Sequence, residues 1–302
     1  MGSSGGAQGA RSRGARAMPL TPTPAAAALG TIHRRDRRTR LAHQVSRVLR
    51  RLVSRGRPIL EREQSAAPGD VLLKHASHED QAIVQRAMPY SIAGAPRLLA
   101  VVDAVRYCVA RGIPGAFAEC GVWRGGAVLA MILTLQDLGE QSREVYLYDT
   151  FEGMTAPTEA DVSGLEPPAH ETWRAAVIKQ RRPWPELFDP GVFNEGAVRA
   201  LLLNTHYPPD RLHFVRGPVE QTLPAQAPER LALVRLDTDW YESTRHELQH
   251  LFPRLATGGV LMIDDYGHWE GARRAVDEYF ASQHPPLLLS RIDYTARIAV
   301  KA

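Results

Sequence analysis

Cysteine is nearly absent from this chain of 302 residues, which holds two, Cys108 and Cys120. Each sits among apolar residues, so packing is the expected role, and the pair suits a reducing compartment. No apolar run reaches the roughly 18 residues of a membrane span. No apolar segment follows the N-terminus as a secretory signal would require. A cytoplasmic protein without a membrane span is therefore expected. Acid is missing from one end: residues 1–57 contain thirteen Arg, no Lys and one carboxylate, Asp36. That arm carries +12 of a net charge of +4, which leaves −8 for the remainder. The basic balance describes an arm, not a domain, and argues against a nucleic-acid-binding fold.

What is present is the material of one globular core, with 44% apolar residues. Residues 1–39 are expected to form a disordered Arg-rich arm and 40–88 a helical extension or lid. The rest, 89–302, reads as the main domain. In the extension, Leu41, Val45, Val48 and Leu52 fall on one face of a helix predicted over 40–53. From Pro89 onward, apolar strands alternate with helices. That alternation predicts an α/β fold with a doubly wound, mostly parallel sheet. The strand-like stretches are 117–121, 144–150, 212–216, 231–237 and 259–265, followed by a closing antiparallel pair over 287–290 and 294–300. Between the fourth and fifth, a helix is expected over about 243–255, with Ser243 as its N-cap and Gly258-Gly259 beyond its end. Residues 152–190 read as a long loop with a helical piece near 171–180, and a loop of that length in a compact domain is a lid or a binding surface.

The organising stretch is Phe117-Ala-Glu-Cys-Gly-Val-Trp-Arg-Gly-Gly126, a strand, a glycine-rich turn and the start of a helix. Such sheets bind ligands beyond the carboxyl ends of their strands. Here those ends carry Glu119, Asp149, Asp237 and the pair Asp264-Asp265. Asp149, at the tip of the second strand, is placed to accept ribose hydroxyls, with Phe151 beside it to cover an adenine. If strands four and five are neighbours, Asp237, Asp264 and Asp265 share a crevice. Three carboxylates this close call for a cation, and hard oxygen ligands suit Mg²⁺ best, with Ca²⁺ and Mn²⁺ as alternatives. Asp237 is the candidate general base. His268, just beyond the fifth strand, is a second catalytic candidate, whereas His246, within a helix, is expected to be solvated or to pack. The competing expectation for the acids is helix capping or pairing with Arg235, Arg245, Arg273 or Arg274.

Four segments occur in order: Glu-Cys-Gly-Val-Trp-Arg-Gly-Gly, Tyr-Asp-Thr-Phe-Glu-Gly-Met, Arg-Leu-Asp-Thr-Asp-Trp-Tyr-Glu-Ser-Thr and Gly-Gly-Val-Leu-Met-Ile-Asp-Asp-Tyr-Gly. With these, residues 89–301 resemble the macrocin O-methyltransferase family. The resemblance implies a seven-stranded class I methyltransferase fold, S-adenosylmethionine and Mg²⁺ as cofactors, and the hydroxyl of a glycosylated or hydroxylated metabolite as acceptor. It implies that Glu119 and Gly121 line the methionine end of the cofactor. Asp149, with Thr150 and Phe151, would serve the ribose, and Gly217 to Glu220 the adenine. It implies Asp237, Asp264 and Asp265 as metal ligands with Asp237 doubling as base, and a homo-oligomer. The residues alone leave open a nucleotide-dependent oxidoreductase or sugar-modifying enzyme on the same sheet, or a non-catalytic cofactor-binding protein.

Overall fold

A computed structural model of the chain describes residues 73–281 and 286–302. The arm and the helix predicted over 40–53 lie outside the described residues. Helix α1 (His78–Ala87) opens on Ser77, whose hydroxyl accepts from the Asp80 amide. Its Ile83, Val84 and Ala87 belong to the same buried cluster as the central helices. The boundary expected at residue 89 therefore cuts through packed core, and α1 is not a separate lid.

The sheet follows as predicted. Helix α2 (Ala95–Ala110) precedes β1 (Ala116–Cys120), α3 (Gly126–Asp137) and β2 (Val145–Asp149). After the long 152–190 segment, which carries α4 (Ala169–Ile178), come α5 (Glu195–Leu203), β3 (Leu212–Arg216) and the single turn α6 (Val219–Thr222). Then follow β4 (Leu231–Leu236), α7 (Tyr241–Leu251), β5 (Leu255–Ile263), α8 (Glu270–Ala281), β6 (Ser290–Arg291) and β7 (Arg297–Val300). The strand order is β3-β2-β1-β4-β5-β7-β6, parallel from β3 to β5, with β7 antiparallel to both neighbours. The order reverses between β1 and β4, so the crevice at their carboxyl ends is the topological switch point.

Burial explains the patterning. β1 and β4 are covered on both faces and every residue in them is buried. Helix α3 is apolar all round because it is enclosed, Gly126 to Leu135 being buried without a break. Two details depart from the sequence reading. Helix α7 starts at Tyr241, so Ser243 lies inside it, buried, instead of capping it. Gly258 and Gly259 lie within β5 and not between elements. The pairing of β4 with β5 slips between Leu231 and Leu233, and Gly258 takes a left-handed φ of 80° at that irregularity.

Candidate active site

One cavity of about 380 Å³ spans the carboxyl ends of β1, β2, β4 and β5. Its first half is built by the Gly121–Gly126 turn. Gly121 holds φ at 81°, and a Cβ there would lie 1.9 Å from the Asp237 carbonyl oxygen. Only glycine lets the tips of β1 and β4 approach this closely. Asp149 organises the turn: its Oδ2 accepts from the Val122 and Trp123 amides at 2.7 and 3.0 Å, and Oδ1 accepts from Phe151 at 2.6 Å. Burial raises its pKa against the pull of those three amides. A carboxylate offers about four acceptor positions, so about one is left for a ligand hydroxyl.

Glu119, Gly121, Asp149, Thr150, Gly217 and Glu220 all line the cavity. Phe151 does not. At φ 54° its ring turns into the core, 4% exposed and tilted against Phe214 at 6.4 Å, so the expected adenine cover is withdrawn. Glu119 is buried; one oxygen accepts from Arg235, while Oε2 has no partner and burial pushes the group up to about 7 despite Arg235. An orphaned buried carboxylate oxygen at the cavity wall is unfavourable unless a donor arrives.

The second half is acidic. Ligand-type oxygens of Asp237, Asp264 and Asp265 lie within 4.8 Å of one another. They are not bare. Arg235, buried in β4, donates from Nη1 to Asp237 Oδ2 at 2.6 Å and to Glu119, and from Nη2 to Asp264 Oδ1 at 2.5 Å. Arg97 reaches Asp264 Oδ2 and, at 2.9 Å, Asp293 Oδ2. Of the four arginines expected as partners for the acids, Arg235 alone takes that part. Arg245 and Arg274 bind Glu242 and Glu278 on their own helices, and Arg273 donates to the Tyr266 carbonyl. Burial and mutual repulsion still raise Asp237 and Asp265 well above the usual carboxylate range. The trio keeps oxygens beyond those the arginines engage, and an all-carboxylate set suits a hard divalent ion.

Asp239, not singled out by the sequence reading, lines the same cavity at a φ of 66°. Its Oδ1 accepts from Trp269 Nε1 at 2.8 Å and its amide donates to Asp265 Oδ2 at 3.2 Å. Burial, eased by the Trp269 bond and reinforced by Asp264, pushes it up to about 7. The signal was present in the triplet Asp-Thr-Asp, whose second acid could have been weighed with the first. Behind it, Thr238 donates to the fully buried Glu247 at 2.8 Å.

His268 lines the cavity but has both ring nitrogens engaged, Nδ1 with the Tyr294 hydroxyl at 3.0 Å and Nε2 with Glu166 at 3.1 Å. It ties the 152–190 segment to the sheet edge, and it must release a partner before it can act as a base. His246 packs, with Nε2 3.2 Å from the Leu223 carbonyl and its ring edge-on to His250. His246-Glu247-Leu248-Gln249-His250 spells a zinc-hydrolase pattern. Glu247, however, faces Thr238 in the interior, and among the described residues no third ligand completes it. The 152–190 segment covers the cavity through tryptophans. Trp123 Nε1 donates to the Leu187 carbonyl at 2.9 Å, Trp240 Nε1 to that of Thr155 at 3.0 Å, and Trp184 lies 5.9 Å from Trp240.

Comparison with known proteins gives a consistent pattern. The family model for macrocin O-methyltransferase matches residues 41–183 and 192–300, so the likeness begins well upstream of residue 89. An 8-demethyl-8-(2,3-dimethoxy-alpha-L-rhamnosyl)-tetracenomycin-C 4'-O-methyltransferase of Streptomyces olivaceus is 34% identical over 200 residues, 64% of this chain and 68% of that one. A mycinamicin III 3''-O-methyltransferase of Micromonospora griseorubida is 31% identical over 191 residues, 63% and 70% of the two chains. Among solved structures, the O-methyltransferase NovP aligns with a TM-score of 0.59 at 28% identity, covering 70% of this chain and 82% of its own. The calicheamicin methyltransferase CalS11 aligns at 0.51 and 20% identity over 75% and 94%, a likeness of fold alone. No helix among the described residues is long and apolar enough to cross a membrane.

Proposed function

Since the chain belongs to the macrocin O-methyltransferase family, we propose that it methylates a sugar hydroxyl of a glycosylated metabolite, with S-adenosylmethionine as donor and a divalent cation, Mg²⁺ by preference, at the acid trio. The observation that carries this reading is the juxtaposition, in one cavity, of an orphaned Glu119 oxygen and a glycine turn on one side with Asp237, Asp264 and Asp265 on the other. When bound, the cofactor supplies an electrophilic methyl group and the cation supplies Lewis acidity toward the hydroxyl oxygen.

The chain's own residues bind, align and take the proton. Glu119 Oε2 accepts from the cofactor's ammonium group. The open position on Asp149 accepts a ribose hydroxyl, while its other bonds keep the turn in shape. Gly217 and Glu220 flank the adenine. Asp237, Asp264 and Asp265 hold the cation, and Arg235 beneath them limits their mutual repulsion. Asp239 is the better proton acceptor than Asp237. It stands outside the trio, Trp269 fixes its orientation, and no guanidinium is bound to it, whereas Arg235 donates to Asp237. A carboxylate that serves both a cation and an arginine has little basicity left. Trp184, half-buried at the cavity wall with Trp240 packed behind it, offers a flat apolar face on which sugar C–H groups can pack, which favours a glycoside acceptor. The main contribution of the site is alignment of hydroxyl and methyl group.

The test is calorimetry with S-adenosylhomocysteine and NAD, followed by a mass-spectrometric screen for methyl transfer onto glycosylated metabolites with and without EDTA. Binding of S-adenosylhomocysteine alone and EDTA-sensitive transfer are expected. NAD binding without S-adenosylhomocysteine binding would sink the reading, and EDTA-insensitive transfer would remove the metal from it.

A further inference from the structure

Two guanidinium groups hold the acid trio, and they are not equivalent. Arg235 is 2% exposed and engages Glu119, Asp237 and Asp264, three carboxylates from the tips of β1, β4 and β5. Moving it would leave several buried charges uncompensated at once, so it has no freedom to yield. Arg97 comes from the first turn of α2 on the cavity wall and is 17% exposed. One of its partners, Asp264, belongs to the trio; the other, Asp293, lies outside it, between β6 and β7. Asp264 thus has one oxygen on Arg235 and the other on Arg97. A further cation that takes Asp264 as a ligand must share one of those oxygens, and it meets the like charge of Arg97 beside it.

We propose that Arg97 is a displaceable counter-cation of the trio. It neutralises Asp264 when no ion is held there, competes with a divalent cation for that carboxylate, and stays anchored through Nε on Asp293 when the cation prevails. Its effect is to hold the cation affinity of the site below what three carboxylates would otherwise give. The inference rests on the metal reading of the trio stated above.

The experiment uses the full-length chain without cofactor or acceptor and measures Mn²⁺ binding by calorimetry and by the electron-paramagnetic signal of free Mn²⁺. Arg97→Met keeps most of the apolar stem and removes the charge; it is expected to bind Mn²⁺ about tenfold more tightly than wild type. Arg97→Lys keeps the charge and is expected to stay within about threefold of wild type. Asp293→Asn leaves Arg97 to Asp264 alone and is expected to weaken Mn²⁺ binding, which keeps the proposal testable should the Met variant fail to fold. Equal or weaker binding by a cooperatively melting Met variant overturns the role of Arg97 and leaves the metal site standing. Tighter binding by Asp293→Asn overturns it as well. No Mn²⁺ binding by wild type or by any of the three variants overturns the metal reading, and this inference with it.

Discussion

The two halves of the cavity solve the problem of a charged group under a sheet in opposite ways. On the β1–β2 side one carboxylate, Asp149, is satisfied by backbone amides of the turn it faces. On the β4–β5 side carboxylates stand against carboxylates and are held by two arginines. Backbone amides cannot leave, so the first half has one stable arrangement. Of the two guanidinium groups Arg235 is locked, but the more exposed Arg97 is on a side chain that can swing, and on the proposal above it lets the second half take up and release charge. A site that grips a cofactor and handles a proton uses both kinds of construction.

The largest expected effect tests the acidic half. Asp239→Asn is expected to lower kcat by about a thousandfold, within the range for loss of a general base, with S-adenosylhomocysteine affinity unchanged by calorimetry. If Asp239→Asn turns over normally while Asp237→Asn does not, the base is Asp237. Next, Arg235→Met is expected to lower stability by about 3–5 kcal/mol in urea unfolding, because it leaves buried acids unpaired. Glu119, on the β1 side but bound to Arg235, should respond to pH. Glu119 is raised from its ordinary 4.5 to about 7 by burial, against the pull of Arg235, so the folded state binds its proton more tightly than the unfolded state does. Its contribution is complete below about pH 4.5 and is lost as the pH rises through about 7, by up to about 3 kcal/mol. Unfolding of Glu119→Gln followed across that window is expected to show a flatter decline than wild type. On the backbone-built side, Asp149→Asn replaces one acceptor oxygen by a donor and should cost about 1–2 kcal/mol and weaken the cofactor about tenfold. The smallest change is at the rim. Glu166→Gln removes the charge facing His268 and is expected to alter the acceptor KM by less than about threefold, as for an exposed pair.

Most of the sheet was legible in the sequence because strands buried on both faces leave continuous apolar runs, as in 231–236, and enclosed helices do the same. The tips were legible because acids and glycines stand out after such runs. Less could be read where one side chain satisfies another across the fold. Nothing in the neighbours of Phe151 says that a left-handed φ turns its ring into the core. Nothing local to Arg97 announces Asp264, 167 residues away. The triplet Asp237-Thr-Asp239 offers two acids at one strand end, and only the fold shows that both enter the cavity. Residue type favours Ser243 as a cap, but the cap position falls three residues earlier, on Trp240, whose ring is buried.

The way the covering segment is attached has a consequence for its exchange between enzymes. Both indole donors, Trp123 and Trp240, belong to the turns that follow β1 and β4, and both acceptors on the segment, Leu187 and Thr155, are peptide carbonyls. A carbonyl is offered by any residue, so these two anchors ask nothing of the side chains at 155 and 187, whereas Glu166 on His268 and the buried Asp161 on the Tyr241 amide do depend on a carboxylate. An exchanged stretch is therefore expected to dock on the sheet when it keeps those two carboxylates, whatever its other side chains.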